Sequence, residues 1–120
     1  MKFNVVKMFI LATLAAIALT GCKTTEPPLY YYGGYQTSVY SYFKGNESTQ
    51  SEQIAVLEQA IETASINDKA IAPGVHAHLG MLYFEAGNSA VGLSHFEQEK
   101  FLFPESASFI NFLIAKTQGE

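Results

Sequence analysis

Residues Pro73–Ser106, PGVHAHLGMLYFEAGNSAVGLSHFEQEKFLFPES, spell two short antiparallel helices joined at Gly87-Asn88. Leu79, Leu82 and Tyr83 recur at i, i+3 and i+4, which puts one apolar stripe on a first helix. Gly87 is suited to the left-handed conformation that closes a helix, and Asn88 to capping the next. Gly80 and Gly92 are small enough to let two backbones approach closely. Leu93 and Phe96 are expected to face back onto the first helix, with Phe101 extending the apolar side. Pro104 stops the run, because a proline ring cannot continue a helix interior.

The register Leu79-Gly80, Tyr83, Gly87, Phe96, Pro104 resembles a tetratricopeptide repeat, whose period is about 34 residues. Pro73–Ser106 is 34 residues long. Two positions depart from that pattern: His76 stands where an aromatic, often Trp, is usual, and Glu99 where Ala is usual. One repeat cannot bury its own faces, so the rest of the chain must supply partners. The expected fold is all-α: a tetratricopeptide-like hairpin with flanking helices, about five short helices in all, after a cleaved signal peptide.

The start of the chain reads as an export signal. Lys2 and Lys7 form a basic beginning, and Met8–Leu19 is a twelve-residue apolar core. That core is too short to cross about 30 Å of hydrocarbon as a helix, but it suits a signal peptide. Leu19-Thr20-Gly21-Cys22 follows and resembles the lipobox of bacterial lipoproteins, cleaved between Gly21 and Cys22. Cys22 is the only cysteine, and a lone cysteine in an exported chain calls for an explanation. A leftover thiol is the bland one; a covalent N-terminal lipid accounts for three features at once. Lys23 in place of Asp implies, by resemblance to Gram-negative sorting, the outer membrane and its periplasmic face. The expected organisation is a signal peptide over 1–21, a lipidated tether over 22–28 and one helical domain over 29–120, with the repeat at 73–106.

From Cys22 onward, five lysines stand against eleven acidic residues, a formal charge of −6, and the chain has no arginine. Nucleic-acid binding needs a basic face, so this composition argues against it. With no second cysteine there is no disulfide, and stability must come from packing.

Leu29–Tyr42 carries six of the seven tyrosines, broken by Gly33-Gly34. Tyr35, Val39, Tyr42 and Phe43 fit a short amphipathic helix ending near Gly45. These rings either plug one end of the domain or form a patch for a partner or the membrane interface. Tyr30, Tyr31, Tyr32 and Tyr35 are therefore partner-binding candidates. Thr49-Gln50-Ser51-Glu52 is a capping box that opens a helix bearing Ile54, Leu57, Ala60, Ile61 and Ala64. Glu52, Glu58 and Glu62 read as its solvated face. Phe109, Phe112 and Leu113, with Ile110 and Ile114 beside them, read as a last helix covering the exposed apolar side of the helix that starts at Ser89. In the repeat register the first helix would line a groove with Ala77, Met81, Phe84 and Glu85. Met81 and Phe84 either meet a partner helix there or are covered by the 47–67 helix or the tyrosines.

No constellation spells a reaction. His76 and His78 point about 200° apart on a helix and cannot share a metal; His76 is better read as a packed, hydrogen-bonded group. There is no Gly-x-Ser-x-Gly elbow and no phosphate-cradling glycine loop. The expectation is no enzyme activity, no catalytic residue, no metal and no cofactor beyond the lipid on Cys22.

At PLYYYGGYQTSVYSYFKG, PGVHAHLGMLYFEAGN and EKFLFPES the chain resembles a family of small proteobacterial lipoproteins, domain-of-unknown-function family 4810. Tyr32 stands where that family typically has Trp. The resemblance implies neighbours in a shared envelope assembly: a lipoprotein similar to the curli secretion channel and another of an uncharacterised family. The functional expectation is an outer-membrane-anchored, periplasmic, non-catalytic adaptor that binds other envelope lipoproteins, with no small-molecule substrate. The alternatives are a pilotin-like accessory factor for secretion or outer-membrane protein assembly, and a peptidoglycan-binding module.

Overall fold

A computed structural model describes residues 2–18, 26–45 and 48–119. Helix α1 (Lys2–Ala18) leads the chain. Its large apolar side chains Val5, Val6, Met8, Phe9, Ile10 and Leu11 are exposed. No helix among the described residues is long and apolar enough to cross a membrane.

Among the described residues the architecture that follows is all-α, as expected, with five further helices: α2 (Tyr35–Lys44), α3 (Gln50–Ile66), α4 (Val75–Glu85), α5 (Ser89–Leu102) and α6 (Ala107–Thr117). Their ends follow the local chemistry. Gly45, at φ 72°, terminates α2 with its N–H on the Ser41 carbonyl. Thr49 and Glu52 form the reciprocal capping box at the start of α3. Gly87, at φ 82°, turns the chain after α4, and the Asn88 side chain accepts from the Val91 N–H to start α5. Pro104 opens a single 3-10 turn, Pro104–Ser106, that leads into α6.

Among the described residues one short pairing is extended. Tyr30–Tyr31 (β1) pairs in parallel with Ala70–Ile71 (β2), and the Ala72 N–H extends the pairing to the Tyr31 carbonyl at 3.0 Å. This ties the tyrosine segment to the connection between α3 and α4.

Helix α4 is the centre. It is buried on two sides, as a helix sandwiched between layers must be. Val75, Leu79 and Leu82 join Leu57, Ala60, Ala64, Ile71 and Ala72 in one core, against which Tyr30, Tyr31, Tyr35, Tyr42 and Tyr83 pack. Ala77, with Met81 and Phe84, joins Phe96, Ile110 and Leu113 in a second. The α4–α5 approach requires glycine. A Cβ on Gly80 would lie 2.6 Å from the Phe96 ring and 3.0 Å from the Gly92 carbonyl oxygen, and one on Gly92 would lie 2.5 Å from Phe84.

Four expected faces are corrected. Helix α2 buries Ser38 and Ser41, small residues that allow close approach to α3, and leaves Phe43 82 % exposed. Phe101 is 78 % exposed and Leu93 also lies outside the core, because Phe96 alone fills the space beside Gly80. On α6 the buried residues are Ile110 and Leu113; Phe109 and Phe112 point outward. The cover over Met81 and Phe84 is α6, not α3 or the tyrosines.

Candidate functional site

The polar groups inside the domain gather around α4. Glu99, 2 % exposed on α5, reaches the N-terminus of α4, whose N-cap Gly74 has no side chain to offer. The carboxylate accepts from the Gly74 N–H at 2.6 Å and the Ala77 N–H at 3.2 Å. Negative charge is favoured at that end of the helix dipole. Burial pushes the Glu99 carboxyl above its ordinary range, while hydrogen bonds from the backbone of Gly74, Ala77 and His76 pull the other way. The departure from Ala at this position is thus a cap supplied by the neighbouring helix.

His76 is the second departure, and it is packed and hydrogen-bonded as its sequence position suggests. Its Nδ1 lies 2.9 Å from Nδ1 of His95, and the rings stack with centroids 5.2 Å apart. One nitrogen carries the proton and the other accepts it. Tyr83 also stacks on His95, with centroids 5.6 Å apart, and donates its hydroxyl to Glu58. Glu58, expected as mere solvated surface, therefore anchors α4 to α3. Burial lowers the His76 pKa to about 4, helped by the neighbouring His95; burial lowers that of His95 too, opposed by Glu58. Burial also lowers His78, which meets the edges of Tyr35 and Tyr42, with Glu85 opposing. Glu85 accepts from the Tyr42 hydroxyl, which pushes that phenol up to about 12.

These contacts are structural in chemistry. Each carboxylate holds a backbone end or a phenol. Among the described residues no group of three or more His, Cys, Asp or Glu is arranged to hold a metal ion.

The partner-binding candidates fall into two groups. Tyr30, Tyr31 and Tyr35 are half-buried against the first core, with Tyr30 edge-on to Phe103 at 5.9 Å. Met81 and Phe84 are half-buried in the second, where Phe84 stacks on Phe96 at 5.3 Å. The groove expected on α4 is thus filled from within by α6. Only Tyr32 is exposed, at 40 %. Gly21 and Cys22 lie outside the described residues.

Residues 29–113 match the family described as Domain of unknown function (DUF4810). The chain belongs to this family. No curated protein and no solved structure matches it. The DUF4810 match opens at the exposed Leu29 and closes at the buried Leu113, so it contains both cores.

Beyond those cores the DUF4810 domain leaves a set of large apolar side chains outside: Tyr40 and Phe43 on α2, Phe101 and Leu102 at the end of α5, Phe109 and Phe112 on α6. Of these, sequence reasoning assigned Phe43, Phe101, Phe109 and Phe112 to the interior. The signal that separates them is register: once Ile110 and Leu113 meet Phe96, Phe109 and Phe112 share a face rotated about 100° away, one turn apart.

Proposed function

We propose that this DUF4810 protein is an outer-membrane lipoprotein of the periplasmic face, anchored through acylated Cys22, that works as a non-catalytic adaptor for other envelope lipoproteins, a curli-secretion-channel-like one among them. The observation that carries the adaptor role is the outward set Phe101, Leu102, Phe109 and Phe112 on a domain whose two cores are complete without them. Exposed apolar side chains grouped on neighbouring elements mark interaction sites. This moves the contact surface from Tyr30, Tyr31, Tyr35, Met81 and Phe84 to the α5–α6 face.

The anchor reading is supported by a different feature. The apolar side chains of α1 are exposed rather than packed, as suits a segment that is removed, and the sole cysteine follows shortly after it. Acylation with a second membrane signal suffices for stable attachment.

Mild crosslinking in intact cells followed by affinity purification tests the adaptor role. Wild type should recover at least one discrete envelope lipoprotein, and the double variant Phe109→Ser/Phe112→Ser should lose it. Recovery of no envelope partner by wild type, or equal recovery by the double variant, contradicts this reading.

A further inference from the structure

Helix α2 turns two large aromatic side chains outward. Successive helical residues are about 100° apart, so Gln36, Tyr40, Phe43 and Lys44 share one arc, away from the buried Ser38 and Ser41. Tyr40 is 53 % exposed and Phe43 82 %. Neither joins the first core, although Tyr35 and Tyr42 of the same helix pack on it. The Lys44 ammonium lies over the Tyr40 ring, 5.1 Å from its centre.

Charge separates this face from the rest of the domain. The residues from Cys22 onward carry a formal charge of −6, yet Pro27–Gly45 contains a single charged group, Lys44. The carboxylates that approach from α3 and α4 are engaged: Glu52 accepts from the Thr49 N–H at 2.7 Å, and Glu85 from the Tyr42 hydroxyl. Aromatic rings flanked by an ammonium and free of carboxylates suit the boundary between lipid and water. There Tyr keeps its ring dry and its hydroxyl wet, and Lys extends its charge to the phosphates. The α5–α6 face differs. Glu97, one turn before Phe101, and Glu105, soon after Leu102, are both exposed, and lipid phosphate repels them.

Tether length is the second observation. Seven residue steps separate Cys22 from Leu29, and they span at most about 25 Å. A small domain is roughly 30 Å across. A domain held that closely lays one face against the lipid, and α2 begins only six residues after Leu29.

We propose that the outer face of α2 beds into the phospholipid surface that holds Cys22, with Tyr40 and Phe43 in the interface and Lys44 on lipid phosphate. This contact rests on the acylated Cys22 of the proposed function and adds an orientation to it. Helix α2 packs on the first core and α6 on the second, across α4. With α2 on the lipid, Phe109 and Phe112 are turned to the periplasm, where a partner can reach them.

The chain has no tryptophan, so the single variants Tyr40→Trp and Phe109→Trp each carry one reporter of lipid contact. Each protein is extracted from its envelope and reconstituted on vesicles of phosphatidylethanolamine and phosphatidylglycerol with bromine-labelled acyl chains. Tyr40→Trp should emit to the blue of Phe109→Trp and be quenched several-fold more, as for a ring about 5–10 Å into the headgroup boundary. Adding Phe43→Ser to Tyr40→Trp should lower the ratio of docked to undocked protein roughly tenfold, because a phenylalanine no longer enters the lipid. Both substitutions are at exposed positions, so the melting temperature should not change. Equal quenching in Tyr40→Trp and Phe109→Trp, no quenching in Tyr40→Trp, or undiminished quenching with Phe43→Ser overturns the proposal. Flotation of the vesicles reads the anchor separately. Proteins that fail to float sink the anchor and this contact together; proteins that float with Tyr40→Trp unquenched sink this contact alone.

Discussion

The Glu99 carboxylate on α5 caps the N-terminus of α4 through the Gly74 N–H, 2.6 Å away. Helix α4 has no capping side chain of its own, since Gly74 stands at its N-cap in a left-handed conformation. Glu99→Ala should therefore destabilise the domain by about 2–4 kcal/mol, through lost charge-assisted bonds and buried N–H groups left unpaired. Glu99→Gln, which keeps an acceptor oxygen, should cost less than half as much. Urea denaturation of the purified variants checks both values, and equal loss in the two would deny the cap.

The His76–His95 stack sets a pH dependence. Both histidines titrate below their ordinary value in the folded state, His76 near 4. The unfolded chain therefore binds more protons between about 6.5 and 4, and the stability these neutral rings contribute is complete above that window and lost as pH falls through it. Glu99 works in the opposite sense: its raised carboxyl loses stability as pH rises above its unfolded value. His78, also lowered by burial, acts in the same sense as His76 and His95. The melting temperature should fall from pH 7 to pH 4, and His76→Phe, which keeps a stacking ring and removes the proton, should flatten the fall. An identical pH profile in that variant would place the dependence elsewhere.

Glycine at the α4–α5 crossing is a steric requirement. Gly80→Ala puts a methyl against the Phe96 ring and should cost about 1–3 kcal/mol. Gly87→Ala has open space around it and only its positive φ to strain, so its cost should be about 1–2 kcal/mol. Thermal denaturation of the two variants side by side orders them.

The two faces of α6 should separate stability from binding. Ile110→Ala should destabilise by about 2–5 kcal/mol, because Ile110 is fully buried against Phe96. Phe109→Ser and Phe112→Ser should change stability by no more than about 0.5 kcal/mol. Chemical denaturation checks these, alongside the crosslinking of the same proteins.

Much of this architecture is written locally in the chain. The Thr49–Glu52 capping box, the Gly87-Asn88 turn and the Gly80–Gly92 contact follow from residue types at fixed spacings, and each is present. What local reading missed depends on which faces meet. Two-residue strands such as Tyr30–Tyr31 exist only because Ala70–Ile71 is brought beside them. In FINFLI apolar residues occupy more than one face, so Phe96 decides which is buried. Glu99 and His95 met their partners for a legible reason: residues nearly equidistant from Ala86 face each other across an antiparallel hairpin, as Gly80 and Gly92 do. The burial of Ser38 and Ser41 on α2 left no sequence signal, since serines on a helix read equally as surface.

The anchored-adaptor account rests on Cys22, and intact-mass analysis of the protein extracted from its native envelope tests it most directly. The account predicts a chain that begins at Cys22 and is heavier than its polypeptide by covalent acyl groups, with Cys22→Ser left unprocessed. A chain that retains residues 1–21, or that begins at Cys22 with no added lipid mass, would contradict it.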